Sequence, residues 1–263
     1  MDLSLKTNTF AVGLKIILGI KIKAMDSVKK KAKTAGLLYL LIAIVGGFSI
    51  GYVPSIIVSP DNATETSNNL LANQGLLQIG IIGDVFVFLF EIILTVILYR
   101  LFNLVNQPIS KIAAFSRLSM SIVMGINLIN YLIPISLLSS STYMDVFEKN
   151  ELDAFVLLFF NIHQYGIYVW GIFFGLHLIA LGYLIFKSGY CPPIIGLLMM
   201  IGSFGYMGEG LVKSIFPNIA PLLTTINILL LIAVLGELSF AFWLLIKGIN
   251  IEKWNRVNEK TNS

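Results

Sequence analysis

Six apolar stretches, each long enough to cross a bilayer, take up most of this 263-residue chain, and they restrict its fold to one class. A spanning helix needs about 20 largely apolar residues. The segments 35–58, 77–101, 114–139, 153–186, 193–215 and 222–247 all meet that requirement. Within lipid, every backbone N–H and C=O must be paired inside the segment itself. The sequence therefore predicts an all-α, polytopic membrane protein with six transmembrane helices. Composition agrees: 57% of residues are hydrophobic and only 12% charged, against about a quarter charged in soluble domains. The remaining pieces are too short to form cores of their own. They are a basic amino-terminal segment over 1–34, a loop from Ser59 to about Leu76, and a tail over 248–263, leaving one membrane domain over 35–247.

Orientation is set by Lys and Arg in the short loops beside the spans. With the amino terminus inside, that side receives Lys6, Lys15, Lys21, Lys23, Lys29, Lys30, Lys31, Lys33, Arg100, Lys111, Arg117, Lys187, Lys247, Lys253, Arg256 and Lys260. The other side receives only Lys149 and Lys213, together with Asp61, Glu65, Asp145, Glu148, Glu151 and Asp153. This places both termini in the cytoplasm of a cell-membrane protein, with Arg100 and Arg117 snorkelling at the cytoplasmic boundary. The net charge of +4 follows from the same bias. Without a basic stripe interleaved with aromatics, it argues against a nucleic-acid partner. The partners expected are the lipid bilayer, a small-molecule or ion ligand and, because six spans are few for a monomeric carrier, a second copy in a homodimer.

The stretch before Met25 reads either as an interfacial amphipathic anchor or as dispensable, since the run from Met25 supplies its own basic cap to the first span. Cys191 is the only cysteine, so no intrachain disulfide can form. Asn62-Ala63-Thr64 is a glycosylation sequon on the outer side, relevant only in a eukaryotic secretory setting.

In the first span, Gly47-Phe48-Ser49-Ile50-Gly51 fits the G-x-S-x-G pattern of serine hydrolases, which requires a strand-turn-helix elbow. Inside a continuous apolar helix the same residues read better as a G-x-x-x-G packing face, as do Gly171 and Gly175. An intramembrane protease would need Ser49 to meet His163 or His177. Those two histidines, fourteen residues apart on one helix, have the spacing that stacks two b-type haems; with no other histidine in the chain, the second axial ligands would have to be methionines or come from a symmetry mate. There is no H-E-x-x-H, no cysteine cluster and no Walker pattern. No catalytic residue, metal or cofactor is therefore assigned. Trp170, Phe173, Phe174, Phe242 and Trp243 read as lipid-facing or packing residues, and Tyr52, Tyr143 and Tyr190 as interfacial ones.

The ionisable residues inside the spans carry the most information, because a charge at the bilayer centre costs about 3 kcal/mol or more unless paired or hydrated. On the second span, Asp84 and Glu91 return to nearly the same face, roughly 10 Å apart along the axis. The fourth span carries Asn161, His163, Gln164 and His177, the fifth Glu209 beside Tyr206, and the sixth Glu237. Counting from the loop ends puts Asp84, His163 and Glu209 in the outer third. Glu91, His177 and Glu237 fall near the midplane, with Asn127 and Asn130 at similar depth.

This layering predicts a cavity open to the outside. Asp84, Glu91, His163, His177, Glu209 and Glu237 are its ligand- or proton-binding groups, Asn127, Asn130 and Tyr206 support them, and His177 is a central proton relay. The function it suggests is small-molecule or ion binding, or proton-coupled transport. The alternatives are a membrane-embedded enzyme or b-type haem redox protein, and a structural or interaction protein of the membrane. The fourth span is overlong, which predicts tilting or a break near Asn161–Gly166.

Several runs carry a resemblance: Thr34 to Leu40 (TAGLLYL), Gly83-Asp84, Phe115 with Arg117-Leu118, Asn127 and Asn130, and His163 with Tyr165-Gly166. They continue with Phe173 to His177 (FFGLH), Gly182 to Phe186 (GYLIF), Ser188 to Tyr190 followed by Pro192, and Gly236 to Ser239 (GELS). Over about Lys31 to Asn250 the chain resembles the bacterial and archaeal membrane family known as domain of unknown function 4386. The resemblance implies a multi-spanning membrane protein and brings no activity with it. Pro193 departs from the pattern, standing where a basic residue is expected. Within the chain, Gly36-Leu37-Leu38 echoes Gly196-Leu197-Leu198 and Gly83-Asp84 echoes Gly236-Glu237, as a parallel repeat of two-helix units would.

Overall fold

The computed structural model describes residues 26–261, so the expectation for the stretch before Met25 lies outside the described residues. Six helices are long and apolar enough to span a membrane: Asp26–Ile57, Gln74–Phe102, Gln107–Ser139, Lys149–Ser188, Pro193–Ile215 and Ala220–Ile246. They are the first to sixth spans, and no strand occurs among the described residues. An even number of spans puts the first and last helices' outer ends on one side, the terminal side.

Local chemistry fixes where the spans stop. The Asn106 side chain accepts from the Ile109 N–H and Pro108 sits in the first turn of the third span, a start that leaves no capping donor wasted. Glu148 and Glu151 form a reciprocal capping box on the fourth span. Gly189 ends that span in the left-handed region at φ 66°, where glycine avoids the Cβ clash. On the opposite side a short helix, Ala63–Ala72, is capped by Asn62 and packs on the fourth span. The asparagine of the sequon is thus a helix cap.

The spans close into a ring in chain order. Each packs on the next, and the sixth returns to the first, where a Cβ at Gly36 would lie 2.6 Å from the Leu245 nitrogen and 2.7 Å from the Ala241 carbonyl. Missing side chains allow such approach. The fourth span meets the fifth at Gly171, whose Cβ would stand 2.8 Å from the Tyr206 carbonyl, and at Gly175, 2.8 Å from that of Ser203. This pair is the packing face expected from the sequence. Gly47 and Gly51 are not one: nothing lies within 4 Å of a Cβ built at either.

The breaks also fall elsewhere than expected. The fourth span runs unbroken through Asn161–Gly166 over 40 residues, about 60 Å and well beyond the bilayer core. Irregularity occurs instead in the first span, as a π-helical turn over Gly47–Tyr52, and in the third, interrupted at Leu128 between Gln107–Asn127 and Ile129–Ser139. Pro54 and Pro134 follow these two sites, and neither can donate to the carbonyl four residues earlier. Outside the ring, Ile79, Ile82, Phe86, Leu89, Ile122, Ile126 and Leu231 are exposed. That continuous apolar belt suits lipid and would be a liability in water.

On the terminal side, Gly248 turns the chain at φ 71° into a last helix, Ile251–Thr261. Ile249 and Ile251 are buried, Trp254 packs against the core, and the Asn250 N–H donates to the Tyr190 carbonyl at 3.1 Å. Tyr190 is consequently not interfacial. It is buried, its ring 5.6 Å from that of Phe102. Beside it Cys191 is buried as well, and burial pushes its thiol from 9.0 up to about 12.

Candidate functional site: an intramembrane polar cavity

Arg117 lies ten residues into the third span, about 15 Å along its axis and so near the middle of a bilayer core. Glu91 and His177 each stand eleven residues from the terminal-side end of their spans, and Glu237 nine from its own. These groups share one layer. Arg117 is 1% exposed, so it does not snorkel to the cytoplasmic boundary. The third span begins at Gln107 rather than near residue 114, which carries the residue inward.

The guanidinium organises the layer. Its Nε lies 2.5 Å from Glu91 Oε2, and its Nη1 donates to the Tyr39 hydroxyl at 3.0 Å. Nη1 also stands 2.8 Å from His177 Nε2, and Cζ sits 4.8 Å over the Tyr39 ring. His177 Nδ1 is 2.8 Å from the Ala113 carbonyl. A carbonyl only accepts and a guanidinium only donates. Nδ1 must therefore carry the proton while Nε2 accepts from Arg117, which defines a neutral imidazole with one tautomer. Both ring nitrogens are taken. None is left to ligate a haem iron, and relaying a proton would require one of these bonds to break.

Beside this layer opens a cavity of about 610 Å³ whose walls come from all six spans. Tyr39, Glu91, Arg117, Trp170, Tyr206 and Glu237 face it, with Glu209 at its rim. Glu237 Oε1 accepts from the Tyr206 hydroxyl at 3.2 Å. The Tyr206 ring stands at 86° to Trp170, 5.7 Å between centroids, and at 68° to Phe174, 4.7 Å away. Trp170 and Phe174, expected to face lipid or merely pack, are cavity wall. Glu209 pairs with Lys213 at 2.6 Å. On the other side of Arg117 a gap of about 10 Å³, lined by Thr95, Ser110 and His177 among others, has room for one water.

The remaining candidates form a second, separate group towards the side away from the termini. Ser49, in the π-helical turn, donates to Asp84 Oδ1. The hydroxyl is buried and bonded to a carboxylate rather than to either histidine, so no nucleophile elbow is assembled. His163 stacks on Tyr131 with centroids 3.7 Å apart, and its carbonyl accepts from Asn127 Nδ2 at 2.9 Å. Asn130 Nδ2 in turn donates to Asn127 Oδ1 at 2.9 Å. Both asparagines stand level with His163, not with Glu91 as the depth count suggested. Asp84 and Glu237 occupy different groups, so the internal echo does not extend to the site.

A six-span helical membrane protein closed around a buried ion pair and a walled cavity is the class these features define. The chain belongs to the family described as Domain of unknown function (DUF4386), whose model matches residues 34–248 and so includes every cavity residue. It is similar to an uncharacterized protein of Archaeoglobus fulgidus, 34% identical over 153 residues that cover 56% of this chain and 89% of that one. No solved structure matches the chain.

Proposed function

We propose that this protein binds a small molecule or ion in the six-helix cavity and exchanges it for protons across a cell membrane, with both termini in the cytoplasm. The observation that carries this reading is Glu237, a carboxyl on the wall of a cavity of about 610 Å³ at mid-membrane depth. Glu91 is neutralised by Arg117, whereas the bond to Glu237 comes from the uncharged Tyr206. A carboxylate in such a place must acquire either a proton or a cationic partner, because an isolated charge there costs several kcal/mol. That alternation is the elementary step of proton coupling. The volume lies within the range of ordinary ligand pockets, about 300–1,000 Å³. Because all six spans of one chain supply the wall, the binding step needs no second copy. A homodimer would serve as support in the membrane.

The test uses proteoliposomes with the pH dye pyranine inside, challenged in turn with an organic cation (ethidium), an organic anion (taurocholate) and a zwitterion (leucine). The expected result is an internal pH change with at least one solute that Glu237→Gln lacks. Silence across the panel, or responses identical in the variant, would overturn the reading.

A further inference from the structure

Resting on that reading, we propose that the ligand is a lipophilic organic cation, entering the cavity sideways from the lipid between the first and sixth spans. Charge complementarity is the first argument. The only guanidinium on the cavity wall has its Nε and Nη1 already engaged by Glu91, Tyr39 and His177. An anionic ligand would have to compete with all three. Among the described residues no cation lies within ion-pair distance of Glu237, and Glu209 at the rim adds a second carboxylate balanced by Lys213. A positive partner is what Glu237 lacks.

The aromatic rings supply the second argument. Trp170 and Phe174 stack at 4.8 Å and Tyr206 closes the corner nearly perpendicular to both. Such a corner beside a carboxylate attracts a diffuse cation through the ring quadrupoles. The Tyr39 face is already used by Arg117, so the corner is the place left for a ligand.

Access is the third. The first and sixth spans meet through Gly36, against Ala241 and Leu245, and through Tyr39, whose ring is 5.6 Å from that of Phe240. Further along, the first span leans on the second, with Val45 at Gly83 and Val53 at Gly80. There Ile44, Gly47 and Gly51 line the cavity and are exposed, Ile44 to 69%. An opening at that depth faces acyl chains, so it selects a ligand that partitions into lipid.

Binding of radiolabelled tetraphenylphosphonium to the purified full-length protein in detergent tests this. Saturable binding is expected, weakened at least tenfold in Glu237→Gln, restored towards wild type in Glu237→Asp, and weakened in Trp170→Ala. In the wild type, affinity must fall on acidification, approaching tenfold per pH unit once Glu237 is protonated. The titratable and charged groups that face it are Glu91, Arg117, Tyr39, Tyr206 and Glu209, with His177 behind Arg117. The pH series needs no variant and stands if Glu237→Gln fails to fold. Binding that is unchanged by pH and by Glu237→Gln overturns the proposal. So does tight, saturable binding of tetraphenylborate in place of the cation. With a responsive proteoliposome panel, either outcome removes the cation while leaving the exchange reading intact; a silent panel removes both.

Discussion

Arg117 holds four spans, its own included, in register through one side chain. It reaches Glu91 on the second span, Tyr39 on the first and His177 on the fourth, and Glu237 of the sixth shares its cavity. Removing one member of a buried pair strands the other charge, a cost of about 3–5 kcal/mol, whereas replacing both with apolar residues of similar volume is often nearly neutral. Arg117→Met should therefore lower the thermal unfolding temperature in detergent markedly. The double variant Arg117→Met with Glu91→Leu should recover most of the loss. A double variant no more stable than the single one would refute the pairing. The sequence made Glu91 conspicuous, since a carboxylate in an apolar run stands out by itself. Arg117 sat close enough to a loop for snorkelling to explain it, and only the true start of the third span, Gln107 with Pro108, moves it to the centre. Depth in a membrane depends on where a helix begins, and a terminus error of one or two turns is enough to hide a buried charge.

Cys191 gives a prediction with a definite sign. Burial raises its thiol from 9.0 to about 12, and Tyr190 beside it rises from 10.0 to about 12 for the same reason. An acid whose folded value lies above its unfolded one stabilises the fold fully below the unfolded value. That contribution is lost as pH rises through the folded value. Stability in detergent should hold to about pH 9 and decline between about 9 and 12, with Cys191→Ala reducing the slope. Native protein should resist maleimide at pH 7.5 and react once unfolded. Rapid labelling of the folded protein would contradict the burial.

At the scale of elements, glycines of the same type divide into two kinds that sequence spacing does not separate. A Cβ at Gly205 would lie 2.6 Å from the Leu230 nitrogen, while one at Gly47 would meet nothing within 4 Å. Overpacking against backbone costs about 1–3 kcal/mol. An alanine that touches nothing gains up to about 1 kcal/mol of helix propensity. Gly205→Ala should destabilise and Gly47→Ala should be neutral or stabilising, read as opposite shifts in detergent unfolding temperature. Equal shifts would contradict the packing of the fifth span on the sixth. The Gly171 and Gly175 face was legible because its small-xxx-small spacing lies on a regular helix. Gly47 and Gly51 share that spacing, but they face the cavity, where no neighbouring helix packs on them. A break in a helix ladder leaves a proline downstream as its clearest trace, and Pro54 and Pro134 supply it here more reliably than the length of the fourth span did.

For the whole molecule, the number of spans and their membrane class were legible because backbone pairing in lipid leaves so few alternatives. The ring closure was not, since nothing in hydropathy says that the sixth helix returns to the first. Topology follows from charge once the buried residues are set aside. Arg117 leaves the count of basic loop residues, and the two cations on the side away from the termini are each held by a carboxylate one turn away. Lys149 is 2.8 Å from Asp153 and Lys213 is 2.6 Å from Glu209. Among the described residues, the loop cations outside these two pairs, including Lys29, Lys30, Lys31, Lys33, Arg100, Lys111, Lys187 and Lys247, thus lie on the terminal side. The bias of loop lysines and arginines is what supports the proposed cytoplasmic placement of that side. A membrane-impermeant maleimide applied to intact cells should label Asp145→Cys, in the exposed turn before the fourth span. It should label Lys111→Cys, at the exposed start of the third, only after lysis. The native Cys191 is buried and contributes little background. Labelling of position 111 alone in intact cells would invert the molecule and set the cavity's approach from the opposite face. Labelling of both positions in intact cells would put them on one side, with an even number of crossings between them in place of the single third span, and the six-span ring itself would fail.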